Sequence, residues 1–154
     1  MDGYRVDRRD FNPGERIDYT GVYFKNLTNT GKIVEDVLEL YRPDGKPKRD
    51  TMLHVFEDLG PARKFWSKMK DGNLYKVQVD NAFVRHRGDM QLTEKVKHLV
   101  EQESEPKSAA MAYWNGEQTE NPENELLVEY AVVTEVVSKS NDERRAYLIK
   151  RIWG

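Results

Sequence analysis

The residues able to do chemistry in this chain are few, and their types narrow the reactions before any fold is considered. There is no cysteine, which excludes disulfide frameworks, thiolate zinc sites, iron–sulfur ligation and cysteine nucleophiles. Histidine occurs at positions 54, 86 and 98 alone, in no HExxH arrangement, so no histidine metal site is expected. Neither GxxxxGKS/T nor GxGxxG is present, and P-loop and Rossmann chemistries fall away with them. The serines at 67, 104, 108, 138 and 140 lack a GxSxG elbow, which disfavours a serine hydrolase.

What remains is an arginine near the start, an aromatic pair in the middle and a late carboxylate. Glu125 directly precedes the apolar run Leu126-Leu127-Val128, so its side chain is expected at the mouth of a sheet, where loops meet ligand. The competing reading is a solvated acid at a strand end. Tyr113-Trp114 beside Asn115-Gly116 offers either a stacking surface or core plus rim. If that segment is extended, Tyr113 faces the cleft and Trp114 the core. Arg5, on a short first strand, either points outward or binds an anion, because burying it unpaired is costly.

The elements that must position these groups can be read from periodicity. Tyr4 to Val6 reads as a brief strand, and Ile17 to Phe24 alternates loosely before the polar connector Asn26 to Gly31. Apolar residues at 33, 34, 37, 38 and 41 mark a helix with Glu35, Asp36 and Glu39 on its other face, stopped by Pro43-Asp44-Gly45. Met52 to Phe56 reads as a strand, followed by a helix that Asp58 can cap, with Leu59, Ala62, Phe65, Trp66 and Met69 on one face. Leu74 to Val79 alternates as a half-buried strand. Arg85 to Asp89 is taken as a loop before a helix near Leu92 to Val100. The acidic stretch Glu101 to Lys107 is solvated, Ala109 to Trp114 is a compact element, and Asn115 to Asn124 is a polar loop. Leu126 to Val137 is the strongest strand-forming stretch, and Ala146 to Trp153 reads as a closing strand. The expectation is a mixed α+β fold with about six strands.

With 154 residues, 38% hydrophobic and 34% charged, residues 1–154 are expected to make one compact domain. Twenty-five Lys and Arg against twenty-seven Asp and Glu give a net charge of −2, which argues against a polyanion-coating protein. No apolar run approaches the roughly 20 residues of a membrane span, and Met1 to Arg9 has no secretory apolar core. The expectation is a cytoplasmic chain without a membrane or metal partner.

Several stretches resemble a known family. Tyr4-Arg5 and the following Asn12-Pro13-Gly14-Glu15-Arg16-Ile17 resemble the start of the rifampin-modifying branch of the ADP-ribosyltransferase superfamily, with Arg5 in the place of a Tyr-His-Gly-Thr histidine. His54-Val55-Phe56, the helix through Ala62 and Phe65-Trp66, and Leu74-Tyr75-Lys76-Val77 are similar to that branch's next strand, helix and strand. Pro47-Lys48-Arg49, Gly88-Asp89-Met90, Tyr113 to Gly116 and Glu125 to Leu127 resemble, in order, the motifs of a small bacterial family associated with the same fold.

That resemblance implies an ADP-ribosyltransferase-like split β-sheet core with flanking helices and NAD+ in the cleft between two small sheets. It implies that Arg5 contacts the adenosine or its ribose and that His54, Phe56 or Tyr113 supplies a ring for the nicotinamide; Arg49 is either a guanidinium forked onto the pyrophosphate or a surface loop arginine. Glu125 is implied at the nicotinamide ribose, where a carboxylate stabilises oxocarbenium charge, and Glu123-Asn124-Glu125 has the Glu-x-Glu form of arginine-directed members. The function so implied is mono-ADP-ribosylation of a protein or nucleic acid, as in a toxin, defence or phage-encoded effector. A nucleic-acid acceptor would draw on Arg85, Arg87, Lys95 and Lys97. The alternatives are a non-catalytic interaction module of the same fold and an NAD glycohydrolase.

Overall fold

The computed structural model describes residues 1–69, 71–139 and 149–152. Among the described residues, apart from a helical stretch at 149–152, seven strands and five α-helices follow one another: β1 (Asp2–Asp7), β2 (Arg16–Asp18), α1 (Val22–Lys25), α2 (Asn29–Leu40), β3 (Leu53–Phe56), α3 (Leu59–Lys68), β4 (Asn73–Gln78), β5 (Val84–Asp89), α4 (Met90–Glu101), α5 (Lys107–Trp114), β6 (Asn124–Val128) and β7 (Tyr130–Ser138). Short 3-10 turns at Arg49–Thr51 and Asn81–Phe83 precede β3 and β5. The strands form one sheet in the order β2-β7-β4-β1-β3-β6-β5, with every neighbouring pair antiparallel. The expected α+β class is what the chain adopts.

Local chemistry explains most boundaries. Thr28 caps α2 by accepting from the Gly31 amide at 3.1 Å, so that helix begins ahead of the apolar stripe that betrays it. Asp89 caps α4 through the Gln91 amide at 2.9 Å. Asp58 occupies the first position before α3 but makes no side-chain cap.

Five expectations are corrected. Arg85 to Asp89 is not a loop but edge strand β5, whose exposed arginines alternate with buried His86 and Gly88. The long run Leu126 to Val137 is two strands broken at Glu129, because β6 and β7 pair at opposite ends of the sheet. The Ile17 to Phe24 segment narrows to three residues of β2 and turns helical at Val22. Ala112 to Trp114 is helical, not extended. Of the expected strand Ala146 to Trp153, residues 149–152 are helical and the rest lie outside the described residues.

The two sheet faces are covered differently. On one, Ala62 and Trp66 of α3 pack on Val6 and Leu74, while α2, α4 and α5 pack on Leu127 through Val34, Leu38, Val96 and Trp114. The other face buries Ile17, Val55, Val77, Leu126, Val128 and Val133 in a cluster that contains no helical residue. Those side chains come from strands β2, β3, β4, β6 and β7. Two register shifts in the β4–β7 pairing bend that part of the sheet.

Candidate functional site

The site begins with register. Tyr4 on β1 stands opposite Phe56 on β3, Phe56 opposite Glu125 on β6, and Glu125 opposite Gly88 on β5. Side chains alternate across a strand, so this row faces the helical side, and Arg5, opposite Tyr75, belongs to the row that faces away. A Cβ on Gly88 would stand 2.7 Å from Tyr113 Cζ. The glycine is what allows the α5 ring to lie against the sheet beside Glu125.

Glu125 is 5% exposed and Arg49 6%. Glu125 Oε1 accepts from Tyr113 OH at 2.7 Å and from Arg49 Nη1, which also donates to Tyr113 OH. The other edge of the guanidinium forks onto Glu35 of α2, with Nε to Oε2 at 2.8 Å and Nη2 to Oε1 at 3.1 Å. His54 lies between the cluster and solvent, its Nδ1 3.6 Å from Glu125 Oε2 and its Nε2 3.1 Å from the Arg49 carbonyl. The Tyr23 and Phe24 rings of α1 lie over His54, each with its centroid 5.8 Å away.

Burial alone would raise the Glu125 pKa, but Arg49, then His54 and Tyr113, outweigh it and hold the carboxyl well below the usual carboxylate range. Burial likewise disfavours the Arg49 cation, yet Glu125, Tyr113 and Glu35 together raise its pKa well above the ordinary value. Burial pushes the Tyr113 phenol far up, so it remains a donor. Glu125 is therefore an ionised carboxylate against the Arg49 cation, and with Glu35 these three side chains carry a formal charge of −1.

Four of the six expected site residues, Arg49, His54, Tyr113 and Glu125, converge here although they span 76 residues of chain. Phe56 shares the row of Glu125 but turns under α3, 5.5 Å from Phe65. Arg5 is spent on Asp7, at 3.2 Å, and on the His54 carbonyl, at 2.9 Å. Arg49 commits its donors inside the protein, to Glu35, Tyr113 and Glu125. Trp114 is buried and donates to the Leu38 carbonyl at 2.8 Å. Arg85 and Arg87 pair with Glu129 and Glu57.

Two parts of the site escape sequence reasoning. Glu35 reads as part of the solvated helix face, whereas its side chain is 11% exposed; its position immediately beside buried Val34 was the one available signal. The Tyr23–Phe24 pair lies on a helix of four residues, too short to leave a periodic pattern.

An open groove of about 490 Å³ lies between Gly60, Pro61 and Lys64 of α3 and Gln91 of α4 and reaches Glu123, and none of Glu35, Arg49, His54, Tyr113 and Glu125 lines it. Asp89, fully buried, fixes its wall by accepting from Thr119 N at 2.8 Å, Thr119 Oγ1 at 2.7 Å and Glu123 N at 3.0 Å. Among the described residues no group of three or more His, Asp or Glu is placed to hold a metal ion, and no helix is long and apolar enough to cross a membrane.

A seven-stranded antiparallel α+β domain with a buried carboxylate–guanidinium cluster on its inner strands is the class this architecture defines. Over residues 4–142 the chain matches the family described as "Protein of unknown function (DUF2441)", and it belongs to that family. No curated protein matches it.

Proposed function

We propose that this chain is a mono-ADP-ribosyltransferase that cleaves NAD+ at the nicotinamide glycosidic bond and passes ADP-ribose to a macromolecular acceptor. The observation that carries the reading is Glu125, an ionised carboxylate on an inner strand whose Oε2 faces the partly open His54 ring. In such a transfer the bond from ribose C1′ to the pyridinium nitrogen breaks, its electron pair leaves with nicotinamide, and the acceptor nucleophile attaches at C1′ with loss of a proton. Positive charge grows on the ribose as this happens, and a fixed carboxylate stabilises it. His54 is the ring best placed to meet the nicotinamide.

A protein acceptor suits the surface better than a nucleic acid, because Arg85 and Arg87 are already neutralised by acids. The reading is tested by incubating the purified chain with labelled NAD+ and cell lysate, then digesting with protease or nuclease. Transfer of label to a protease-sensitive product is expected, with free ADP-ribose a minor product; free ADP-ribose alone would point to a glycohydrolase. Glu125→Gln should slow transfer about 10²-fold or more while the fold persists, since Arg49 keeps Glu35. A variant labelling at the wild-type rate would remove Glu125 from the chemistry.

One observation favours a second reading. Glu125 Oε1 is taken by Arg49 and Tyr113, and Tyr23 and Phe24 lie over His54, as in an interaction module that keeps the fold without transfer. NAD+ raises the melting temperature if it binds the native state; an unchanged melting temperature and no label transfer would favour the module.

A further inference from the structure

We propose that Glu35 is a positioning residue: by gripping the far edge of the Arg49 guanidinium it keeps that group on a single oxygen of Glu125 and leaves Oε2 outside the guanidinium's grip. The inference rests on the reading of Glu125 as the charge-stabilising acid. A guanidinium is a planar fork that pairs with a carboxylate through two parallel N–H bonds when free to do so. Here that fork faces Glu35, at 2.8 and 3.1 Å, and Nη1 alone reaches Glu125. Glu125 Oε1 is doubly occupied, by Arg49 and by Tyr113 OH. The neighbour of Oε2 is His54 Nδ1 at 3.6 Å, beyond hydrogen-bonding range.

Without the Glu35 carboxylate, the buried Nε–Nη2 edge of Arg49 needs a new acceptor. Glu125 is the other carboxylate already in contact, and the fork closes over both of its oxygens. The protein's own arginine then quenches the acid. The substitution Glu35→Gln also takes the formal charge of the three groups from −1 to 0, so burial of the cluster is not made harder. A purely structural Glu35 makes the opposite claim, a weaker fold with unaltered chemistry in the molecules that remain folded.

The test compares wild type, Glu35→Gln, Glu35→Asp and the double variant Glu35→Gln with Arg49→Lys. The expected result is that Glu35→Gln keeps its melting temperature and slows ADP-ribose transfer at saturating NAD+ about tenfold or more. Glu35→Asp, which still grips the guanidinium, restores most of that loss. The double variant restores part, because an ammonium is a point donor that cannot fork. A crystal structure of Glu35→Gln is expected to show Arg49 on both oxygens of Glu125; Arg49 remaining on one oxygen overturns the proposal, as does a lowered melting temperature with an unchanged rate. If wild type transfers no ADP-ribose, the transferase reading fails, and the variant's crystal structure still decides what Glu35 does to Arg49.

Discussion

His86 is wedged between Tyr113 and Trp114, both ring centroids 4.9 Å away. Its Nε2 lies 3.1 Å from the Tyr113 carbonyl, and Nδ1 has no hydrogen-bond partner among the described residues. Burial, and secondarily the charge of Lys46, push its pKa down from 6.5 to about 4. The unfolded chain therefore binds a proton that the native state refuses. The resulting stability is complete above pH 6.5 and is lost as pH falls toward 4, roughly 3 kcal/mol in all. Urea midpoints measured at pH 7.5 and 4.5 should show this loss in wild type and a shallower one in His86→Gln. Equal pH slopes for the two proteins would remove His86 as the cause. Further loss at lower pH comes from Asp7 and Asp89, whose carboxyls are held below their ordinary range, against the opposing pull of burial, by Arg9 and by Thr119 respectively.

At the scale of elements, α5 carries one face of the site and one wall of the core in adjacent residues. Trp114 is 2% exposed and packs with Leu38, Val96 and Leu127, so Trp114→Ala should cost about 3–5 kcal/mol. Tyr113→Phe keeps the ring over Gly88 but removes the hydroxyl shared by Arg49 and Glu125; a loss of about 1–3 kcal/mol is expected. Chemical denaturation of the two variants checks both values, and a Tyr113→Phe protein as stable as wild type would show that the hydroxyl contributes nothing. Sequence reasoning recovered these residues and misjudged their element. Alternation and helical stripes describe amphipathic segments, whereas α5 buries Ala109, Ala110, Tyr113 and Trp114 around much of its circumference. β5 was missed for a related reason: its exposed arginines mask a period-two pattern carried by His86 and a glycine. Glu35 leaves only a faint trace in the pattern, its place beside buried Val34, since its burial depends on an arginine brought in by tertiary structure. Glu125 and Tyr113 stand out in the sequence by their apolar neighbours, whereas Arg49, set among polar residues, and His54 enter only through the family resemblance.

For the molecule as a whole, the strand order has a kinetic consequence during synthesis. In the finished sheet β5 pairs with β6 alone and β2 with β7 alone, and both partners come last among the seven strands. A nascent chain that has emerged as far as Glu123 can assemble β4-β1-β3 and nothing wider. It holds Glu35 and Arg49, 14 residues apart, but not Glu125, with which Arg49 pairs. When residues 124–138 follow, β6 docks on one flank and recruits β5, while β7 docks on the other and recruits β2. A ribosome-stalled chain ending at Glu123 should therefore be cut by trypsin at Arg85 and Arg87 far faster than the completed protein. Equal resistance would mean that β5 finds order without β6. Any reactivity the site has is thus withheld until β6 has been translated, so that a chain cut short before Glu125 is born without it.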